Sequence, residues 1–241
     1  MVNKSGNIEV ELDLIKDKEI KTIKYDTRDI SLITNSKIGL YNAGGSCYMA
    51  SIIQILIHLR SFIEIFLRKR QNTSLYKIFY NLLLKIINSE GPIKITEFSS
   101  EYNKINERFS GSKGNNPMTF FDEFIKQLDT ENNGILDLFS GKNLIQFQGG
   151  DEENYEEDFI FYMVFLDSKY RNIDEAIHNE KEMEDEPDVK FSSKIILKPK
   201  IFVINLEVED LEYYFEQYIQ IDDVKYELKA INEYNNIHSK V

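Results

Sequence analysis

The sequence is poor in the residues that staple small or secreted proteins together: it has one cysteine, four prolines and no tryptophan in 241 residues. A single cysteine excludes an intramolecular disulfide and a cysteine-based structural zinc site. A reducing compartment is its simpler setting. The opening residues, Met1 to Asn7, carry no apolar signal core, and no apolar run reaches transmembrane length. An intracellular protein of cytoplasm or nucleus is expected, without a membrane partner. Excess positive charge is also missing. Against 29 Lys and Arg stand 41 Asp and Glu, a formal net charge of -12, which disfavours nucleic acid because phosphate binding rests on clustered cations. The one tight basic cluster, Arg68-Lys69-Arg70, follows an apolar stretch and suits the negative end of a helix there, the alternative being a binding patch.

What is present is a globular composition, 42% hydrophobic, with 14 Tyr and 16 Phe. That is enough apolar surface for one large domain or two small ones. Ile8, Val10, Leu12 and Leu14 alternate with polar neighbours and predict an edge strand. A Gly-rich approach, residues 37–46, leads to an apolar stretch from Met49 to Leu67 that reads as one long, mostly buried helix. Further helices are expected over Ser74 to Asn88, Ile95 to Phe109 and Met118 to Leu128, with turns at Gly91-Pro92 and Ser110 to Pro117. The second half changes character. Asp158 to Leu166, Ile195 to Leu197, Ile201 to Leu206 and Lys225 to Ile231 predict strands, and Ile173 to Met183 a short helix. Helices first and strands later imply an α+β fold. Two acidic runs, Asp151 to Asp158 and Glu180 to Asp188, read as solvated loops, or alternatively as a docking surface for a basic partner.

Chemistry concentrates around the lone cysteine. Cys47 follows Gly44-Gly45-Ser46 and opens the apolar helix. A helix N-terminus offers unpaired N–H groups and partial positive charge, which favour an anionic sulfur. Glycines just upstream allow a substrate chain to approach closely. Asn42 lies five residues before the sulfur and can turn its amide towards the same spot as an oxyanion donor. The competing reading is a buried structural cysteine, since free cysteine is among the most buried residue types.

Residues 39–56 resemble the cysteine box of ubiquitin-specific proteases, roughly G-L-x-N-x-G-N-T-C-Y-M-N-S-x-L-Q-x-L. Gly39, Leu40, Asn42, Gly44, Cys47, Tyr48, Met49, Ser51, Gln54 and Leu56 match in register, Ser46 and Ile53 are conservative replacements, and Gly45 and Ala50 depart where the family usually has asparagine. Weaker likenesses follow in family order. Phe120 to Leu128 keeps Glu123 and Phe124 of a family helix, and Ile135 to Gly141 is similar to the segment where substrate meets the palm. Asp174 to Ile177, Lys198 to Leu206 and Tyr226 to Ile231 are similar to a later helix and two strands.

The resemblance implies a papain-like cysteine protease fold with a helical thumb and an antiparallel-sheet palm and fingers. It implies an N-terminal extension over residues 1–36, then a catalytic domain over 37–241, divided into thumb 37–130 and palm with reduced fingers 131–241. Family fingers often bind zinc through paired cysteines, but the only cysteine here is already assigned, so no metal or cofactor is expected.

A cysteine nucleophile needs a histidine to orient it and protonate the leaving amine. His58 lies eleven residues along the same predicted helix as Cys47, roughly 16 Å away at 1.5 Å per residue, too far to act on it. His178 falls in an acidic, solvated helix. His238 follows the Tyr226 to Ile231 strand, where the family carries its G-H-Y histidine, although its neighbours here are Ile237 and Ser239. It is expected to be the base, against an incidental terminal histidine. The family's third residue, an Asp or Asn, comes some distance later, while this sequence runs three residues beyond His238. The chain is therefore expected to be a fragment or to lack the last palm strands. Two functions follow from the resemblance. One is a deubiquitinase, hydrolysing the bond after the C-terminal glycine of ubiquitin, with ubiquitin or ubiquitinated proteins as partners. The other is a catalytically impaired subunit that binds ubiquitin or joins a larger protein complex.

Overall fold

A computed structural model describes residues 7–10, 23–41, 44–68, 72–110, 114–130, 134–148, 153–166, 172–178, 181–182, 190–208 and 216–231. The chain divides into two compact units, residues 1–135 with 232–241, and residues 136–231.

The first unit is helical. Strands β1 (Asn7–Val10) and β2 (Ile23–Asp26) pair antiparallel; Leu12 and Leu14 of the expected edge strand lie outside the described residues. Helix α1 (Thr27–Thr34) follows, then the short strand β3 (Leu40–Tyr41). Helices α2 (Cys47–His58), α3 (Arg60–Arg68) and α4 (Ser74–Ile87) come next. Strand β4 (Ile93–Lys94) runs parallel to β3, and α5 (Thr96–Ile105), a 3-10 turn (Glu107–Phe109) and α6 (Pro117–Leu128) complete the unit.

Local chemistry explains the sharp helix starts. Thr73 accepts the Tyr76 N–H ahead of α4, and Asn116 accepts the Met118 and Thr119 N–H groups ahead of α6, whose first residue is Pro117. Each cap satisfies donors that have no partner within the helix.

The stretch from Met49 to Leu67, expected as one helix, is two. Leu59 is extended (φ -85°, ψ 99°), its N–H closes on the Leu56 carbonyl at 3.1 Å, and α2 and α3 meet at 87°. There is no Gly or Pro at the break, so packing makes it. A straight helix of that length would run roughly 30 Å, whereas the bend lets both halves bury side chains in one unit. Ile53, Leu56 and Ile57 do so from α2, and Phe62, Ile63 and Phe66 from α3. An aromatic seam ties the helices together: Phe66 stacks on Tyr76 at 4.4 Å, Phe79 meets Phe66 at 4.9 Å and Phe124 at 5.3 Å, and Tyr102 meets Phe120 at 5.3 Å. Among the described residues no single helix is long and apolar enough to cross a membrane.

The second unit opens with a short helix, α7 (Leu136–Phe139), and is mostly sheet. Its strands are β5 (Gly141–Gln148), β6 (Tyr155–Phe159), β7 (Tyr162–Leu166), β8 (Lys181–Glu182), β9 (Lys190–Leu197), β10 (Ile204–Val208), β11 (Tyr218–Ile221) and β12 (Val224–Glu227), with α8 (Ile173–His178) after β7. One sheet has the order β6-β5-β9-β8, β11 and β12 form a hairpin, and β7 pairs with β10. That last pair is parallel, so the expectation of an antiparallel palm holds only in part; residues 167–203 separate the two strands, long enough for a crossover. Tyr162, Val164, Leu166, Ile173, Ala176, Ile177, Ile195 and Ile221 form the core, with Phe159, Phe202 and Tyr226 against it.

Four further expectations need correction. Asp158 to Leu166 is not one strand: the chain bends at Ile160 and Phe161, because β6 joins β5 while β7 joins β10. The helix expected to reach Met183 stops at His178, and Lys181–Glu182 pairs with β9 instead. The first acidic run is no loop where it is described from Tyr155 onward. Glu156, Glu157 and Asp158 lie on β6, exposed, with Lys142 of β5 paired to Glu156 at 3.0 Å. The expected strand from Lys225 to Ile231 begins a residue earlier and ends at Glu227. Apart from Lys181 and Glu182, the second acidic run lies outside the described residues, as do Lys69 and Arg70.

Candidate active site

Cys47 is the first residue of α2, and it is exposed. This removes the reading of a buried structural cysteine. The residues around it explain how an exposed sulfur comes to stand on a buried helix. Gly44 and Gly45 both have positive φ, +77° and +70°. At Gly44 nothing lies within 4 Å of an added Cβ, so backbone conformation and not space demands glycine there. The turn ends at Ser46, which is buried and whose carbonyl accepts the Ala50 N–H at 3.0 Å, starting the helix.

Tyr48 then anchors that start. Its ring is buried between Phe109, stacked at 5.9 Å, and Phe120, edge-on at 5.7 Å. Asn115, from the segment before α6, donates to the Tyr48 hydroxyl at 3.5 Å. Burial raises the Tyr48 pKa, the Asn115 bond opposes that, and the neighbouring Cys47 adds to the rise. The phenol is thus a neutral packing group beside the sulfur. One residue is pinned in the aromatic seam and the preceding one faces solvent.

The approach to Cys47 is held from two sides. On one, Ile93 and Ile95 donate N–H bonds to the Gly39 and Tyr41 carbonyls at 3.0 and 3.4 Å. On the other, Gln54 of α2 accepts the Leu40 N–H on Oε1 at 3.2 Å and donates from Nε2 to the Ile38 carbonyl at 3.3 Å. The Gln54 Nε2 also lies 3.1 Å from His58 Nε2, and His58 Nδ1 lies 2.8 Å from the Thr34 carbonyl. His58 therefore ties α2 to α1 and is not set towards Cys47. Sequence reasoning matched Gln54 to a motif and missed this contact; a lone carboxamide seven residues after the cysteine on an apolar helix was the available signal.

Asn42 and His238, the expected oxyanion donor and base, lie outside the described residues, as does the side chain of His178. Among the described residues no group of three or more His, Cys, Asp and Glu is arranged to hold a metal ion.

A family model of ubiquitin carboxyl-terminal hydrolases matches residues 38–234, and the chain belongs to that family. It is a family of cysteine-type deubiquitinases. Among solved structures the chain is similar to the SAGA DUB module with Ubp8, Sgf11, Sus1 and Sgf73 bound to monoubiquitin, at 17% identity and a TM-score of 0.54. The match covers 78% of this chain and 49% of that one, so this chain spans about half the length of the solved relative. The fold is accordingly α+β and papain-like. No curated protein matches the sequence.

Proposed function

We propose that this chain is a thiol-dependent deubiquitinase that hydrolyses the bond after the C-terminal glycine of ubiquitin. The observation that carries this reading is the exposed Cys47 at the first turn of α2, behind two left-handed glycines, in a chain of this family. In the proposed reaction the sulfur adds to the glycine carbonyl. Asn42 and the Cys47 N–H bind the oxyanion, and His238 passes the proton to the departing amine as the carbon–nitrogen bond breaks. Water then cleaves the thioester, returning the thiol and the ubiquitin carboxylate. An acidic protein with net charge -12 attracts the basic tail of such a substrate. The solved relative carries ubiquitin within a larger module, which supports ubiquitin as ligand and a multi-subunit setting.

A second reading, an impaired subunit that binds ubiquitin without cutting it, is favoured by Gly45 and Ala50 standing where the family has asparagine. A ubiquitin probe with a C-terminal electrophile separates the two. The first reading expects a covalent adduct on Cys47, lost in Cys47→Ala. Reversible binding of ubiquitin with no adduct on the intact protein would overturn the first and leave the second.

A further inference from the structure

We propose that Gln54 is a positioning residue for Cys47, acting as a side-chain strand that fixes the approaching backbone, with His58 holding its carboxamide in the one orientation that fits. This rests on the deubiquitinase reading for its purpose, though not for its geometry.

The argument begins with a two-residue strand. Strand β3 is only Leu40–Tyr41, and β4 satisfies one edge of this segment, taking the Gly39 and Tyr41 carbonyls. The opposite edge presents the Ile38 carbonyl and the Leu40 N–H. An open edge of this kind must find partners, because unpaired backbone groups cost free energy once partly buried. Gln54 supplies both partners from one amide, accepting from Leu40 and donating to Ile38, as a neighbouring strand would. Gln54 lies seven residues after Cys47, two helical turns and roughly 10 Å along the same face of α2. The backbone entering the cysteine turn is thereby fastened to the very helix whose first residue is the cysteine.

A glutamine amide can flip, and the flipped form would set N–H against N–H at Leu40 and oxygen against oxygen at Ile38. His58 selects against that. Its Nδ1 faces the Thr34 carbonyl, which accepts only, so Nδ1 carries the hydrogen and Nε2 offers a lone pair. That lone pair takes the second N–H of Gln54 at 3.1 Å. Every polar atom of the pair is then matched: Thr34 to His58, His58 to Gln54, Gln54 to Ile38 and Leu40. A flipped amide would turn its oxygen towards the His58 lone pair and lose this contact as well.

The test uses the full chain and reads geometry and chemistry separately. Hydrogen exchange should find the Leu40 amide protected, exchanging about tenfold slower than in Gln54→Leu, consistent with one lost hydrogen bond. Nitrogen-15 shifts of the His58 ring, assigned with His58→Phe, should report the Nδ1–H tautomer. Labelling of Cys47 by the ubiquitin electrophile should slow about tenfold in Gln54→Leu. Alkylation by iodoacetamide, which needs no docked tail, should change less than about twofold. Gln54→Met is the alternative if the leucine variant does not fold. Equal Leu40 exchange in parent and variant overturns the clamp. A protected Leu40 with unchanged probe labelling in the variant overturns its positioning role. A parent that the probe does not label overturns the deubiquitinase reading and the positioning role with it, and the exchange arm still decides the clamp.

Discussion

The two units solve burial differently. The helical unit joins Phe62, Phe66, Phe79, Phe109, Phe120 and Phe124 in one continuous seam almost fully shielded from solvent, although Leu32, Tyr41, Leu84 and Ile105 remain exposed. The sheet unit spreads its strands over separate small sheets and leaves Met163, Phe165, Ile196 and Leu197 exposed. Cys47 belongs to the first kind of architecture. An exposed reactive group keeps a defined position when the residue beside it is locked in a dense core, and Tyr48 provides that lock. The sheet unit has a smaller core of its own around Val164, Ile177 and Ile221, and adds register, close approaches and surface pairs to it.

Substitutions can sharpen this contrast or break it. The largest effect is expected from Phe79→Ala, which removes a ring touching Phe62, Phe66, Phe98 and Phe124. About 3–5 kcal/mol of stability should be lost in denaturant titration. Phe165→Ala, on the exposed face of β7, should stay within about 0.5 kcal/mol. Equal losses in the two variants would erase the contrast.

Gly141→Ala comes next. An added Cβ at the start of β5 would lie 2.3 Å from Cζ of Phe159 on the neighbouring strand. The ring must move to admit it, at about 1–3 kcal/mol. A neutral result in thermal unfolding would mean that the β5-β6 pair is loosely packed there.

Asn116→Ala should cost about 1 kcal/mol, since α6 would lose the side chain that accepts two of its first N–H groups. Asn116→Asp, which can still accept them, should restore most of that stability in the same measurement.

The smallest effect concerns the hairpin of β11 and β12. Lys198 pairs with Asp222 at 3.0 Å and Asp223 at 2.8 Å. Hydrogen bonding from Lys198 holds the Asp223 carboxyl below its ordinary 3.8. A folded pKa below the unfolded one means stability that is present above 3.8 and is lost as pH falls through the lowered value. The group is exposed, so screening keeps the contribution small. Asp223→Asn should flatten the acid limb of the stability profile slightly, and high salt should do the same to the parent.

Legibility followed the same divide. Helices α4 and α6 could be read from their apolar stretches because a buried face is a local property, whereas the caps at Thr73 and Asn116 came only with the structure. The break at Leu59 was hidden: nothing at 58–60 is a helix breaker, and the bend exists only because both halves bury side chains in one unit and His58 reaches Thr34. Strand β5 escaped notice because polar Lys142, Asn143 and Gln146 dilute its apolar set, although Asn143 is itself buried. The bend at Ile160 and Phe161 was equally silent, since an apolar run does not say which sheet each half will join. At the candidate site, the exposed cysteine and its glycine turn were legible as chemistry. The Gln54 bridge was not, because it links side chain and backbone 14 and 16 residues apart.

The paired left-handed glycines carry one last implication. At φ of +77° and +70°, residues 44 and 45 adopt the torsion that a mirror-image amino acid prefers. A D-alanine introduced at position 44 by peptide ligation would match the turn and reduce the freedom of the unfolded chain, while L-alanine would meet the steric penalty that chirality imposes. Handedness at this single atom is therefore a means of stiffening the doorway to the sulfur.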